Sequence, residues 1–492
     1  MKSTLVSTLP DMSAKKDAAE AEATDALVIF GITGDLARKM TFRALYRLEL
    51  RGKLDCPVIG VGRRTDWAHE TMRQCAHESI KDGLGSIDED VFKRLAGRMR
   101  FVAGNFDDET TYDVLKEELK GYEKPLFYLE VPPVLFAPVI KSLALAGLAA
   151  NGRFVIEKPF GHDLASARAL QAELTTVLTE DQILRIDHYL GKEPVMDITY
   201  LRFANSILEP VWNSNYVAYV QMTMAEPFGV EDRGRFYDRV GTIRDVLQNH
   251  MLQVLALVAM EPPNANQHDS VRAKKLELFE AIRSAEPERC VRGQYDGYHD
   301  IPDVSADSNT ETYVALELAI ENWRWSGVPF YIRAGKCLPV KHTEVRVVFK
   351  RPPHIAFGVS KKKPDHNEMV IRIDPTPGAQ MRFIAKAAGA EAFENADLEV
   401  LFEKEPGTEP EPYERLLDDA IHGRTELFTH VDAIDETWRI VQPLLDNPSP
   451  VTPYEKGSWG PAEAERLVKG VCHWDEPWRP VEPATKHQIF GG

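Results

Sequence analysis

A histidine closes the run Gly241-Thr242-Ile243-Arg244-Asp245-Val246-Leu247-Gln248-Asn249-His250, and apolar residues carry the segment on to Met260. Read as a helix over Thr242–Met260, His250 follows Val246 by four and Leu247 by three, and precedes Val254 by four. It therefore lies on the apolar face. A histidine there is either a core residue bonded to a carbonyl or a general base. The second role needs a carboxylate to orient the ring and stabilise the imidazolium. An imidazole ordinarily titrates near about 6.5, and a charged carboxylate beside it is expected to raise that value.

Two further segments carry chemistry. Arg185-Ile186-Asp187-His188-Tyr189-Leu190-Gly191-Lys192-Glu193 would, if helical after Asp187, put His188 and Lys192 on one face at i and i+4. An imidazole, a phenol and an ammonium converging there make a phosphate clamp; the same spacing also describes an ordinary solvated face. Glu157-Lys158-Pro159-Phe160-Gly161 follows the apolar run Phe154–Ile156. A lysine at the carboxyl end of a parallel strand sits where ligands bind in such sheets. The Lys158-Pro159 bond is open to either isomer.

These residues need a scaffold. Ala26–Ile32, Pro57–Val61, Phe101–Val102, Leu126–Val131, Phe154–Ile156 and Ile183–Ile186 are short apolar runs separated by helix-like stretches such as Leu36–Leu50 and Val134–Leu148. Apolar strands alternating with helices predict a parallel sheet covered on both faces. Its first strand ends in Gly31-Ile32-Thr33-Gly34-Asp35-Leu36-Ala37, a GxxGxxA turn ahead of a helix. Such a turn lets backbone amides approach a pyrophosphate, which the helix N-terminus attracts. The second strand exits as Gly62-Arg63-Arg64, with no carboxylate before Asp66. Guanidinium forks in place of the ribose-binding carboxylate suit a 2′-phosphate, so NADP is expected, with Arg63 carrying most of the preference.

Beyond about residue 190 the texture changes to longer strands of period-two character, Tyr216–Met224, Glu311–Ile320, Glu344–Phe349, Met369–Ile373 and Leu398–Phe402. Helices are expected at Thr242–Met260, Val271–Ile282 and Ala433–Leu445. The fold class is thus an α/β Rossmann dinucleotide-binding domain over 25–190, followed by an α+β domain with a large, mostly antiparallel sheet over 191–492. Residues 1–24, rich in Ala, Lys, Glu and Asp, read as a tail. The net charge of −17 argues against nucleic acid, whose phosphates favour basic surfaces. Five scattered cysteines without a CxxC pair predict neither a disulfide framework nor a metal site and fit a reducing, cytoplasmic setting. No apolar run is long enough for a membrane span.

The run from Arg185 to Glu193 resembles the signature of the glucose-6-phosphate dehydrogenases. Seven other segments are similar to the same family in the same order: GITGDLA at 31–37, EKPFG at 157–161, LRFAN at 201–205, EPFG at 226–229, GRFYD at 234–238, IRDVLQNH at 243–250 and RAGK at 333–336. The resemblance implies oxidation of glucose 6-phosphate to its 1,5-lactone, the first step of the oxidative pentose phosphate pathway, with NADP as acceptor. It implies His250 as the base and Asp187 as its orienting partner. His188, Tyr189 and Lys192 would hold the phosphate, Lys158 would touch sugar and cofactor, and Glu226, Asp245, Lys336 and Lys341 would complete the sugar site. Gly31, Thr33, Gly34, Asp35, Leu36, Arg63 and Pro132 would join Lys158 at the cofactor. A homodimer or homotetramer is implied too. One residue departs from the pattern: Glu130 stands before Val131-Pro132-Pro133 where relatives carry a small residue, and it either faces away or alters cofactor contacts. Two other readings stay open, another NAD(P)-linked sugar or polyol dehydrogenase and a catalytically silent NADP-binding sensor.

Overall fold

The structure, a computed structural model, describes residues 23–264, 269–352, 364–389, 392–402 and 410–479. Six strands alternate with helices over the first part of the chain: β1 Ala26–Phe30, β2 Val58–Gly62, β3 Met99–Ala103, β4 Pro125–Leu129, β5 Arg153–Ile156 and β6 Ile183–Ile186. They pair in parallel in the order β3-β2-β1-β4-β5-β6. On β1, Leu27 and Ile29 enter one apolar core while Ala26, Val28 and Phe30 enter another. A strand covered on both faces must be apolar throughout, which is why these runs are continuous rather than alternating. The strand order reverses between β1 and β4, so the carboxyl ends of those strands part and leave the crevice in which such sheets bind dinucleotides.

The second sheet has nine strands: β7 Val217–Ala225, β8 Cys290–Tyr295, β9 Tyr313–Ala319, β10 Pro329–Gly335, β11 His342–Phe349, β12 Glu368–Asp374, β13 Gly378–Lys386, β14 Phe393–Leu401 and, later in the chain, β16 Val451–Tyr454. Their order is β14-β13-β12-β11-β7-β10-β9-β8-β16, antiparallel except for the β7–β10 and β8–β16 pairs. One face is apolar and packs on the helices Leu252–Ala259, Asp269–Ala281 and Val431–Asp446. The α/β sheet followed by a large, mostly antiparallel sheet is the expected fold class.

The chain departs from the expected boundaries in two places. Residues 1–22 lie outside the described residues, but Thr24, assigned to the tail, is buried and donates its amide to Ile421 O at 2.7 Å. More substantially, the helix Pro412–Ile421 and β15 Phe428–Thr429 return to the first sheet, where β15 pairs antiparallel with β6. Leu416, Leu417, Ala420 and Ile421 join the core beneath β1. Their periodicity marks an amphipathic helix without saying which sheet it covers.

Gly31 occupies the tight corner at the end of β1 with φ +86°, and a Cβ there would lie 2.1 Å from Glu130 O. Both features demand glycine, since left-handed backbone costs other residues roughly 1–2 kcal/mol before any collision is counted. Gly31→Ala should therefore lower the thermal midpoint and weaken dinucleotide binding, as read by differential scanning fluorimetry with and without the cofactor. An unchanged midpoint would contradict the stated geometry.

Candidate active site

A cleft of about 860 Å³ lies where the exits of β4, β5 and β6 face the helix that carries His250. Asp187 is the first residue after β6. One of its oxygens sits 2.6 Å from His250 Nδ1 and also accepts the Tyr189 amide at 3.0 Å. Burial alone would raise the Asp187 carboxyl, but His250, with His188 and Lys158, holds it well below the usual carboxylate range. Burial pushes the His250 imidazole down, against the upward pull of Asp187, and Lys158 adds to the fall. The expected net rise is thus corrected: the carboxylate acts in the expected direction, but desolvation of the ring outweighs it. With Nδ1 facing Asp187, Nε2 is the ring nitrogen turned toward Lys158 and the cleft.

The remaining geometry depends on a local change of helix type. Ile243–Met251 forms a π-helix where a plain α-helix was expected. In an α-helix, residues five apart point about 140° away from each other, whereas the wider i→i+5 closure brings them onto one side of the helix. Asp245 and His250 are five apart, and both meet Lys158: Nζ lies 3.3 Å from Asp245 Oδ1 and 3.0 Å from His250 Nε2. Burial would raise Asp245, yet Lys158 and Lys336 keep it low. Lys158 itself comes from the exit of β5, with the Lys158-Pro159 bond cis.

The Asp187–Lys192 segment forms successive turns rather than the helix considered above, and the helix begins at Glu193. His188, Tyr189 and Lys192 still come together. The Tyr189 ring stacks on His250 at 4.5 Å, and Lys192 Nζ sits 4.1 Å from the centre of the same ring. Burial, with His250 and Lys158 close by, pushes His188 down to about 3, so it enters as a neutral hydrogen-bonding group and not as a standing cation. Lys192 and Lys341 both pair with Asp374, at 3.4 and 3.0 Å. Lys336 pairs with Glu226 at 2.6 Å, beneath the rings of Phe228 and Tyr237. Asp374 was missed by the sequence reading; an aspartate ending a strand before a proline is too common a pattern to single out. Asp187, His188 and His250 bring ligand atoms within 4.8 Å of one another, but the Lys158 ammonium beside His250 opposes a cation there.

Leu36, Pro132 and Lys158 line the cleft. Gly31, Thr33, Gly34, Asp35 and Arg63 lie outside its wall, at the carboxyl ends of β1 and β2 and the start of the first helix. Arg64 is committed to Asp66 at 2.6 Å. No ion pair of Arg63 is found among the described residues, and its side chain is exposed. Glu130 does not face away: its side chain turns inward to Thr41.

Comparison with known proteins places this geometry in context. The family model of "Glucose-6-phosphate dehydrogenase, NAD binding domain" matches residues 28–197, and that of "Glucose-6-phosphate dehydrogenase, C-terminal domain" matches 199–475. The chain is 50% identical over 465 residues to glucose-6-phosphate 1-dehydrogenase 1 of Mycobacterium tuberculosis, covering 93% of this chain and 97% of that one. It is similar to the crystal structure of glucose-6-phosphate 1-dehydrogenase from Mycobacterium avium, with a TM-score of 0.86 and 51% identity over 93% of this chain and 100% of the other. A structure of glucose-6-phosphate dehydrogenase in complex with its substrate glucose-6-phosphate gives a TM-score of 0.86 at 34% identity, covering 92% of this chain and 99% of that one.

Proposed function

The chain belongs to the glucose-6-phosphate dehydrogenase family, and from that membership we propose the part each residue of the cleft plays. The enzyme oxidises glucose 6-phosphate at C1 to 6-phosphoglucono-1,5-lactone, with a nicotinamide dinucleotide as electron acceptor. The single observation that supports the mechanism best is the buried Asp187–His250 contact of 2.6 Å at the cleft wall.

His250 Nε2 takes the proton of the C1 hydroxyl, because the lactone carbonyl can form only as that proton leaves. A nicotinamide dinucleotide, when bound, would supply the acceptor for the hydride of C1. Asp187 fixes the ring by its Nδ1 contact and stabilises the imidazolium as it forms. Lys158, 3.0 Å from Nε2, lowers the proton affinity of the ring and so eases return of the proton to solvent. Lys192, Tyr189, His188 and Lys341 hold the phosphate; burial pushes the Tyr189 phenol up, which keeps it a hydrogen-bond donor. Glu226, Asp245 and Lys336 hold sugar hydroxyls. The nonreacting phosphate thereby supplies binding energy that orients C1.

NADP is the cofactor. The bare backbone at Gly31 and the helix starting at Asp35 suit a pyrophosphate. Arg63, with no carboxylate partner among the described residues, suits the 2′-phosphate. A homodimer or homotetramer assembles through the outer strands of the large sheet, where Phe383, Leu398 and Val400 stand exposed.

His250→Asn should lower kcat by about 10²–10⁴-fold with little change in KM, whereas Lys192→Ala should chiefly raise KM for glucose 6-phosphate. Steady-state assay of nicotinamide reduction separates the two, and a near-normal kcat in folded His250→Asn would sink the base assignment. Arg63→Ala should reduce the ratio of kcat/KM for NADP to that for NAD; an unchanged ratio would move the preference elsewhere. Sedimentation velocity should give a dimer or tetramer mass, and a monomer at micromolar concentration would reject the oligomer.

A further inference from the structure

Glu130 follows β4 beside the Gly31 corner, its amide donating to Phe30 O at 2.9 Å. Its Oε1 accepts from the Thr41 hydroxyl, in the π turn Ala37–Thr41 of the first helix. Its Oε2 is shut off from solvent and has no hydrogen bond. Tyr128, two residues earlier, acts on both Glu130 and Glu157 and donates its hydroxyl to Glu157 Oε1 at 2.7 Å. Glu157 is the residue before Lys158, at the end of the neighbouring strand β5. Tyr413, on the helix Pro412–Ile421, also hydrogen-bonds Glu157.

Both residues border the cleft, but two carboxylates in this poorly solvated stretch of its wall cannot both stay ionised without countercharge. The groups facing them are Thr41 from the first helix, Tyr128 from β4 and Tyr413 from Pro412–Ile421, all neutral, together with Asp187, which adds negative charge. Lys158 acts on Glu157, but its ammonium is engaged by Asp245 and His250. Burial pushes Glu130 up to about 8, Thr41 opposing and Glu157 adding to the rise. Burial pushes Glu157 up to about 7 against the pull of Tyr128, Lys158 and Tyr413.

We propose that Glu130 and Glu157 hold one proton between them across Tyr128, and that this chain positions Lys158 and the first helix for the cofactor. The bonds run in one direction. Thr41 donates to the carbonyl oxygen of Glu130 and the Tyr128 hydroxyl donates to the Glu157 carboxylate; the Glu130 acid proton sits on the unpartnered Oε2, and a small turn of that group toward Tyr128 Oη closes the chain. The Glu130 oxygen that otherwise lacks a partner then carries the proton. Loss of the proton leaves like charges on either side of Tyr128, pushing the exit of β5, and with it Lys158, away from β4. Glu130 is a positioning residue and does not touch the reacting atoms.

A carboxyl raised from its unfolded value near about 4.3 to about 8 binds more protons folded than unfolded between those values. The stability it contributes is present below the lower value and is lost as pH rises through the upper one. Glu130→Gln keeps the shape and a permanent donor toward Tyr128 while removing the titration. Its thermal midpoint should match the parent near about pH 5 and exceed it increasingly toward about pH 8. In the parent, NADP affinity should fall severalfold from about pH 7 to about pH 9, and Glu130→Gln should flatten that fall. Parallel midpoint profiles for the two proteins would overturn the shared proton. Should the variant not fold, infrared difference spectra of the parent decide: a protonated carboxyl band at neutral pH that disappears on alkalinisation supports the proposal, and its absence at neutral pH overturns it. The affinity arm rests on the cofactor reading above, whereas the midpoint and infrared arms do not. Failure of affinity alone therefore rejects the positioning of the cofactor site and leaves the proton sharing standing.

Discussion

The contact between Asp187 and His250 is the constraint on which the rest of the molecule turns. Its two sides belong to different cores, since Asp187 ends a strand of the first sheet and His250 rides a helix packed on the second. A buried carboxylate is costly unless it is paired and hydrogen-bonded. Here the His250 Nδ1–H, the Tyr189 amide and the nearby Lys158 together offset that cost. Separation of the two sheets at this point would strand an ionised Asp187 in an apolar wall. The charge that orients the His250 ring thus also holds the halves of the cleft in register.

The π register of Ile243–Met251 belongs to the same constraint. It permits Asp245 and His250 to share Lys158, and it could not be read in the sequence. Periodicity over this stretch is satisfied by an α-helix with His250 on its apolar face, and one widened turn leaves the apolar positions on either side in place. The residues were legible because each is a rare type at a strand exit or on an apolar face. Their mutual geometry was not.

The fold divides in the same way. β1 to β6 were visible because strands buried on both faces must be apolar without interruption. β10, Pro329–Gly335, was hidden between a proline and a glycine, and it carries a buried arginine. Arg333 is tolerated there because it donates to Thr223 and to Asp475 O and lies against Trp459 and Trp474. Those partners are remote in sequence, so no local pattern announces the strand. The return of Pro412–Ile421 to the first sheet is hidden for the same reason: amphipathicity specifies a buried face but not the surface that buries it. Asp374 is a third case, ordinary in sequence and made a partner of two lysines by tertiary placement.

A protein of net charge −17 that binds a sugar phosphate must draw its positive potential from a few residues. In the cleft those residues are already paired: Lys158 with Asp245, Lys192 and Lys341 with Asp374, Lys336 with Glu226. Pairing keeps the ammonium groups ordered before substrate arrives, so less side-chain entropy is lost on binding. It also sets a threshold, because an incoming anion must compete with a carboxylate already in place. A dianionic phosphate with three acceptor oxygens meets that threshold more readily than a monoanion, and sugar hydroxyls can in turn bond to the carboxylates that remain. On the proposed assignment of the phosphate to these lysines, the acidic surroundings discriminate among anions that a cleft of unpaired lysines would accept alike.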